Sequence, residues 1–195
     1  SGVLSVLSRS PRLTVFPYSE IDRSYDWATD RFEAPGLAFE VITPFFPIPD
    51  PDQAPASEVK FACCPAVFAR ITIDNHSGST PRTGFFAIQI DDKWSALEPL
   101  TGGDLRGFAT RESMGFATTD DVETFADFSI ESAFNRQHST PHFLLGATAG
   151  LRFDVPPGES RAVTVAVGFF RYGQATFNRP MRYAYTRHFA NLCEV

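Results

Sequence analysis

Apolar and polar residues alternate over strand-length stretches along most of this chain, and turn chemistry separates them. Residues 36–43 (Gly-Leu-Ala-Phe-Glu-Val-Ile-Thr) alternate and then meet Pro44. The acidic, Pro-rich segment Pro47–Pro55 follows; it cannot join a central strand, because proline lacks the ladder donor. Residues 65–74 and 82–90 predict two long strands, with the turn cluster Asn75–Pro81 between them, so a hairpin is expected there. Residues 105–110 and 114–119 predict a second hairpin around 111–113, and residues 122–130 a further strand. Residues 148–155 and 161–171 flank Pro156-Pro-Gly-Glu159, a tight-turn signature, and residues 131–137 suit a helical turn.

Many strands at regular spacing without βαβ alternation predict an all-β fold, an antiparallel β-sandwich. The period changes at the end. In Met181–Val195 the residues Tyr185, Phe189 and Leu192 fall at i, i+4 and i+7, one apolar stripe of an amphipathic helix. No glycine cap or proline stop closes it. The organisation expected is a sandwich domain over residues 1–180, then residues 181–195 as the start of a linker helix. Its stripe Tyr185, Phe189 and Leu192 would meet a catalytic domain missing from this chain.

Composition narrows the partners. The chain has 195 residues, long enough for one domain with a real core, and its 43% hydrophobic and 21% charged residues are ordinary globular values. Twenty phenylalanines favour a β-rich core, since aromatic rings suit a pleated, half-buried surface. A net charge of −6 with no basic stretch argues against nucleic acid and anionic membrane as partners. No apolar run approaches the ~20 residues of a spanning helix, and Val3–Leu7 lacks the basic flank of a signal peptide. Three cysteines cannot form an even disulfide framework, and bridging the adjacent Cys63 and Cys64 would strain the backbone. Buried free thiols in a reducing, cytoplasmic setting are the expectation.

Motifs for chemistry are scarce. His138 and His142 have the i, i+4 spacing of a zinc pair, but Pro141 breaks the helix that would align them, and no glutamate follows His138. Exposed loop histidines are the simpler account. Asp50 and Asp52 lack the glycine and distal glutamate of a calcium loop. Asn75-His-Ser77 fits a glycosylation sequon formally, yet reads as turn chemistry. No nucleophile elbow or phosphate loop is present, so neither metal nor cofactor is expected.

The order of the turn signatures is more specific. Ala28-Thr-Asp30, Gly36–Pro44, Ile48-Pro-Asp-Pro-Asp52, Pro65-Ala-Val-Phe68, Ile71-Thr-Ile-Asp-Asn75 and Arg82-Thr-Gly-Phe-Phe86 come first. Leu105-Arg-Gly107, Asp154-Val-Pro-Pro-Gly158, Phe169-Phe-Arg171, Tyr183–Phe189 and Glu194-Val195 follow. In this order, over roughly residues 12–195, they resemble the N-terminal sandwich domain of family 52 glycoside hydrolases, the β-xylosidases. The resemblance implies a sandwich of the supersandwich type followed by an (α/α)6 barrel. It also implies a retaining mechanism with a carboxylate nucleophile and a carboxyl acid/base. Both family carboxylates lie in the barrel, so no catalytic residue maps onto this chain.

The expected role is therefore the non-catalytic sandwich of a β-xylosidase-like enzyme, packed on its (α/α)6 catalytic domain and shaping the mouth of the site for a xylo-oligosaccharide or similar sugar. The likeness also suggests a homodimer. Arginine donates to hydroxyls and aromatic faces stack on pyranose rings, which nominates Trp94, Arg106, Arg171 and Tyr172 as sugar contacts. The plainer account of Arg106 and Arg171 is pairing with acids at a domain interface. Competing functions are a related β-glucosidase-type enzyme and a free-standing carbohydrate-binding or assembly module, whose C-terminal helix would dock on its own sheet.

Overall fold

A computed structural model of the chain describes residues 15–90, 96–100, 103–110, 113–127, 129–130, 133, 148–176 and 178–195. The fold is all-β and antiparallel. Eleven strands are described: β1 (Asp22–Tyr25), β2 (Thr29–Ala34), β3 (Leu37–Ile42), β4 (Ala66–Asp74), β5 (Arg82–Gln89), β6 (Leu97–Pro99), β7 (Arg106–Thr110), β8 (Met114–Thr118), β9 (Glu123–Asp127), β10 (Thr148–Val155) and β11 (Ser160–Phe169). A single short helix, α1 (Ala56–Ala62), is the only α-helix bounded among the described residues. One sheet has the order β1-β2-β3-β4-β11-β8-β7-β6; the other is β5-β10-β9.

The two-residue period of each strand decides which side chains meet between the sheets. On β10, Ala149, Leu151, Phe153 and Val155 point inward, and all four are buried. Register sets Leu151 beside Phe86 of β5 and Ala149 beside Ile88. From the larger sheet come Ala69 and Ile71 of β4, Val163 and Val165 of β11, Phe108 of β7 and Phe116 of β8. Phe116 meets Phe86 edge-on across the core, their ring centroids 5.4 Å apart. The phenylalanine-rich composition thus supplies contacts between the sheets.

Among the described strands, the chain changes sheet at four connections, β4–β5, β5–β6, β8–β9 and β10–β11, and two of them meet at Asn75. The expected hairpin between residues 65–74 and 82–90 is corrected here: both strands form, but β4 and β5 belong to different sheets, and Asn75–Pro81 is a corner between layers. The β10–β11 turn does the same. Gly158 has φ of +81° and Glu159 N–H bonds to Pro156 O at 3.3 Å, a proline–glycine turn that a side-chain-bearing residue would strain. Asn75 ties the two corners together. Its backbone N–H donates to Glu159 O and its carbonyl accepts from Gly158 N–H, both at 2.9 Å. Its side-chain amide donates to Thr80 O at 2.9 Å and to Val155 O at 3.0 Å, and the residue is fully buried. That burial supports the turn reading of the sequon over a glycan site.

The larger sheet is also covered on its outer side. There β7, β8 and β11 present small residues: Ala109, Gly115, Ala117, Ala166 and Gly168 alternate with the inward Phe108, Phe116, Val165 and Val167. Leu192 and Val195 lie in this seam. A methyl group placed on Gly115 would come within 2.9 Å of Leu192 Cδ2, and one on Gly168 within 3.1 Å of Val195 Cγ1. Ala109, Phe170, Phe189 and Leu192 form a second buried cluster, flanked by Cys63, Cys64, Leu100, Tyr185 and Val195.

The amphipathic helix expected over residues 181–195 does not form. Ala184–Arg187 and Leu192–Glu194 are single 3-10 turns, separated by an extended Asn191. Asn191 Oδ1 accepts from Glu194 N–H at 3.1 Å, and Glu194 Oε2 accepts from Ala190 N–H at 2.9 Å. These local bonds compete with helix propagation, and burial of Phe189 and Leu192 on the sheet favours the broken path. The apolar stripe is real, but its partner is the chain's own small-residue seam. Residues 181–195 are packed on the sandwich.

Two substitutions test this packing, each read by urea unfolding. Asn75→Ala strips donors from two carbonyls, and each left buried without one costs about 1–3 kcal/mol. Gly115→Val drives side-chain atoms into Leu192, and destabilisation of about 1–3 kcal/mol is expected.

Candidate functional site

The sandwich has two unlike ends. At one end lie the β2–β3 turn at Gly36, the Asn75–Pro81 corner, the β8–β9 link and the β10–β11 turn, all short. At the opposite end lie the long β3–β4 connection with α1, the β1–β2 turn and everything after β11. Long connections carried on a rigid sandwich are where binding surfaces arise.

The short-turn end is ionic. Arg106, Asp121, Glu123, Arg152, Asp154 and Arg161 line an open cleft of about 400 Å³. Arg106 Nη1 donates to Asp121 Oδ1 and to Val122 O, both at 2.7 Å, so this nominated sugar contact is held by an acid and a carbonyl of its own domain. Arg161 donates to Asp121 O and lies 5.3 Å over the Phe153 ring. Arg152 sits between the Phe85 and Phe125 rings, at 5.3 and 5.1 Å. The cleft balances three guanidinium groups against three carboxylates, an arrangement suited to closing the sandwich mouth.

The long-connection end is aromatic. Arg171 and Tyr172 leave β11 there. The Tyr185 hydroxyl accepts from Arg171 N–H at 2.8 Å and faces Arg171 O at 3.4 Å, which fixes the backbone where the strand ends. Tyr185 meets Phe170 edge-on at 5.9 Å and stacks on Tyr183 at 5.6 Å. Arg182 lies 5.4 Å over the Tyr172 ring. Phe46 packs on Phe61 of α1 at 4.6 Å, and Lys60 lies 4.8 Å over Phe189. Among the described residues, all the exposed large apolar side chains but Val15, Phe16 and Tyr18 belong to this end.

Of the four nominated sugar contacts, Arg171 and Tyr172 are thus neighbours. Arg106, paired with Thr118 of β8, lies level with the middle of β11 and turns its side chain away from Arg171, toward Asp121. Trp94 lies outside the described residues, as do His138 and His142. Sequence reasoning missed Tyr25, Trp27, Phe45 and Ile48; the contrast between short turns at one end and long connections at the other was the signal that could have found them. Of Tyr185, Phe189 and Leu192, the last two are buried within the chain and Tyr185 is half-buried.

The Arg23 guanidinium, bonded at 2.7 and 2.9 Å, holds the Asp30 carboxyl below its ordinary range. The backbone N–H of His76, then its ring, does the same for Asp74. Burial pushes the Cys63 and Cys64 thiols up, away from the thiolate form that reactive cysteines need. Among the described residues, no three His, Cys, Asp or Glu side chains gather as a metal-ligand set.

The sequence model of glycosyl hydrolase family 52 matches residues 5–195. This chain belongs to glycosyl hydrolase family 52. Two β-xylosidases of Geobacillus stearothermophilus are similar to it, each 34% identical, over 187 and 188 residues. The alignments cover 94% and 93% of this chain but only 26% and 30% of the relatives. The family 52 chain therefore spans less than a third of the length of these relatives, and it matches the family's N-terminal domain.

Tyr185→Phe removes the hydroxyl that receives the Arg171 amide. A loss of about 0.5–1.5 kcal/mol is expected, with faster hydrogen exchange at Arg171 and unchanged exchange in β10.

Proposed function

We propose that this chain is the non-catalytic front domain of a retaining β-xylosidase-like glycoside hydrolase, packing on an (α/α)6 catalytic barrel and shaping the mouth of its site. The observation that carries this reading is the unequal coverage: nearly all of the chain aligns with β-xylosidases, while most of each β-xylosidase lies outside the alignment. Arg171 and Tyr172 are the side chains of this domain best placed to reach a sugar, and the free thiols support a cytoplasmic location.

One observation favours a second reading, that of a free-standing carbohydrate-binding or assembly module. Leu192 and Val195 dock on the domain's own sheet, as such a module would require.

Turnover of an aryl β-xyloside separates the two. The full-length gene product is expected to hydrolyse it with retention of configuration, and residues 1–195 alone to give no rate above buffer. Hydrolysis by the isolated domain that survives repurification would sink the non-catalytic assignment. A native product no longer than this chain that binds xylo-oligosaccharide would establish the second reading.

A further inference from the structure

The two ends of the sandwich differ in what they offer a partner. At the short-turn end two arginines are held within the domain, Arg106 by Asp121 and Val122 O, and Arg161 by Asp121 O and Asp154 O, and Arg152 lies between two phenylalanine rings. At the long-connection end, large apolar side chains stand in solvent. Tyr25 is 82% exposed, Trp27 89%, Phe45 72%, Ile48 88%, Phe61 62% and Tyr172 69%. Strand register brings them to one end. Tyr25 closes β1 opposite Asp30, Trp27 is in the turn that follows, and Thr29 opposite Ile42 sets that turn beside the start of the β3–β4 connection. Phe45, Ile48 and Phe61 lie in that connection, which returns to the sheet at Ala66, and Ala66 pairs with Gly168 just before β11 ends and Tyr172 follows.

Scattered apolar residues are normal on a surface, but their concentration at one end is not. With each large side chain presenting about 150–250 Å² when fully exposed, these six offer on the order of 700–1,150 Å². One partner in a standard stable interface contributes ~800 Å².

We propose that this end of the sandwich, centred on Trp27, Ile48 and Tyr172, is the face on which the rest of the polypeptide docks in the longer protein. The inference rests on the front-domain reading and specifies its contact surface. Two observations select this occupant over a second copy of the domain. The relatives contain more than two-thirds of their length beyond the aligned part, ample for a large partner. Val195 also lies at this end: its side chain packs against Gly168 and its carbonyl accepts from Cys64 Sγ at 3.6 Å. In a longer family member, a chain continuing from that position emerges beside the apolar face, so docking there needs no long linker.

The test uses the full-length gene product, after intact-mass measurement. Trp27→p-benzoylphenylalanine, a photo-crosslinking side chain, is compared with the same change at Tyr18, which is 84% exposed and precedes the opposite end of β1. Hydroxyl-radical oxidation of unsubstituted protein provides a second readout, because Tyr18, Tyr25 and Tyr172 share one intrinsic reactivity. The expected result is intramolecular crosslinks from position 27 to peptides beyond residue 195, none from position 18, and oxidation of Tyr25 and Tyr172 several-fold slower than that of Tyr18. Crosslinks joining the front domains of two copies would overturn the choice of occupant. Equal oxidation of the three tyrosines without crosslinks, in a product longer than this chain, would overturn the docking face and leave the front-domain reading standing. A native product of 21.6 kDa would remove that reading, and the docking face with it.

Discussion

Asn75 joins two of the four places where the chain passes between sheets, and the sandwich depends on that junction. Its backbone pairs with Gly158 and Glu159 of one corner, while its side-chain amide reaches Thr80 in its own corner and Val155 at the end of β10. Burying a polar group is costly unless it is hydrogen-bonded, and the Asn75 amide nitrogen and backbone are paired across both layers, while its buried Oδ1 has no partner. Because the corners are fixed there, β4 and β11 enter the larger sheet, and β5 and β10 the smaller, with their inward sets opposed. Leu151 can then lie beside Phe86 while Val163 lies beside Ile71.

The same constraint explains why the larger sheet is buried on two sides. With Phe108, Phe116, Val165 and Val167 committed to the inter-sheet core, the intervening positions of β7, β8 and β11 face outward. Those positions are glycine and alanine, whose small size leaves a groove. Leu192 and Val195 fill it. The C-terminal segment therefore packs as part of the domain, and Tyr185 is anchored where β11 ends, its hydroxyl on the backbone of Arg171. Structure at the β11 end is thus set by packing on the outer face of the sheet.

Much of this fold was legible in the sequence, for identifiable reasons. The strands with a clean apolar face, β3, β4, β5, β10 and β11, announce themselves because one side is buried and a period of two survives. β1 left no such mark: all four of its residues are exposed, and it is held by the Arg23–Asp30 pair and its ladder to β2. The corner at Asn75 was legible as a turn but not as a change of sheet, since turn chemistry fixes a reversal and not the layer that the next strand joins. The stripe at Tyr185, Phe189 and Leu192 was read with the right apolar residues and the wrong geometry. Period 3.6 describes a helix in isolation, and a groove on a neighbouring sheet rewards a different path.

The candidate site was legible only by halves, and the reason is spatial. Arg106 and Arg171 are equivalent in sequence terms, each an arginine near a strand end beside aromatic residues. The fold turns Arg106 toward the short-turn end, leaves Arg171 at the other, and gives them opposite fates. Arg106 is consumed by Asp121 and Val122 O inside the domain. Arg171 is held through its backbone, by the Tyr185 hydroxyl, at the end where Trp27, Ile48 and Tyr172 are exposed. An end closed by its own ion pairs has little left to offer a partner; an end with exposed aromatic rings leaves apolar surface in water, at ~25 cal/mol per Å². That asymmetry assigns stability to one pole of the domain and recognition to the other.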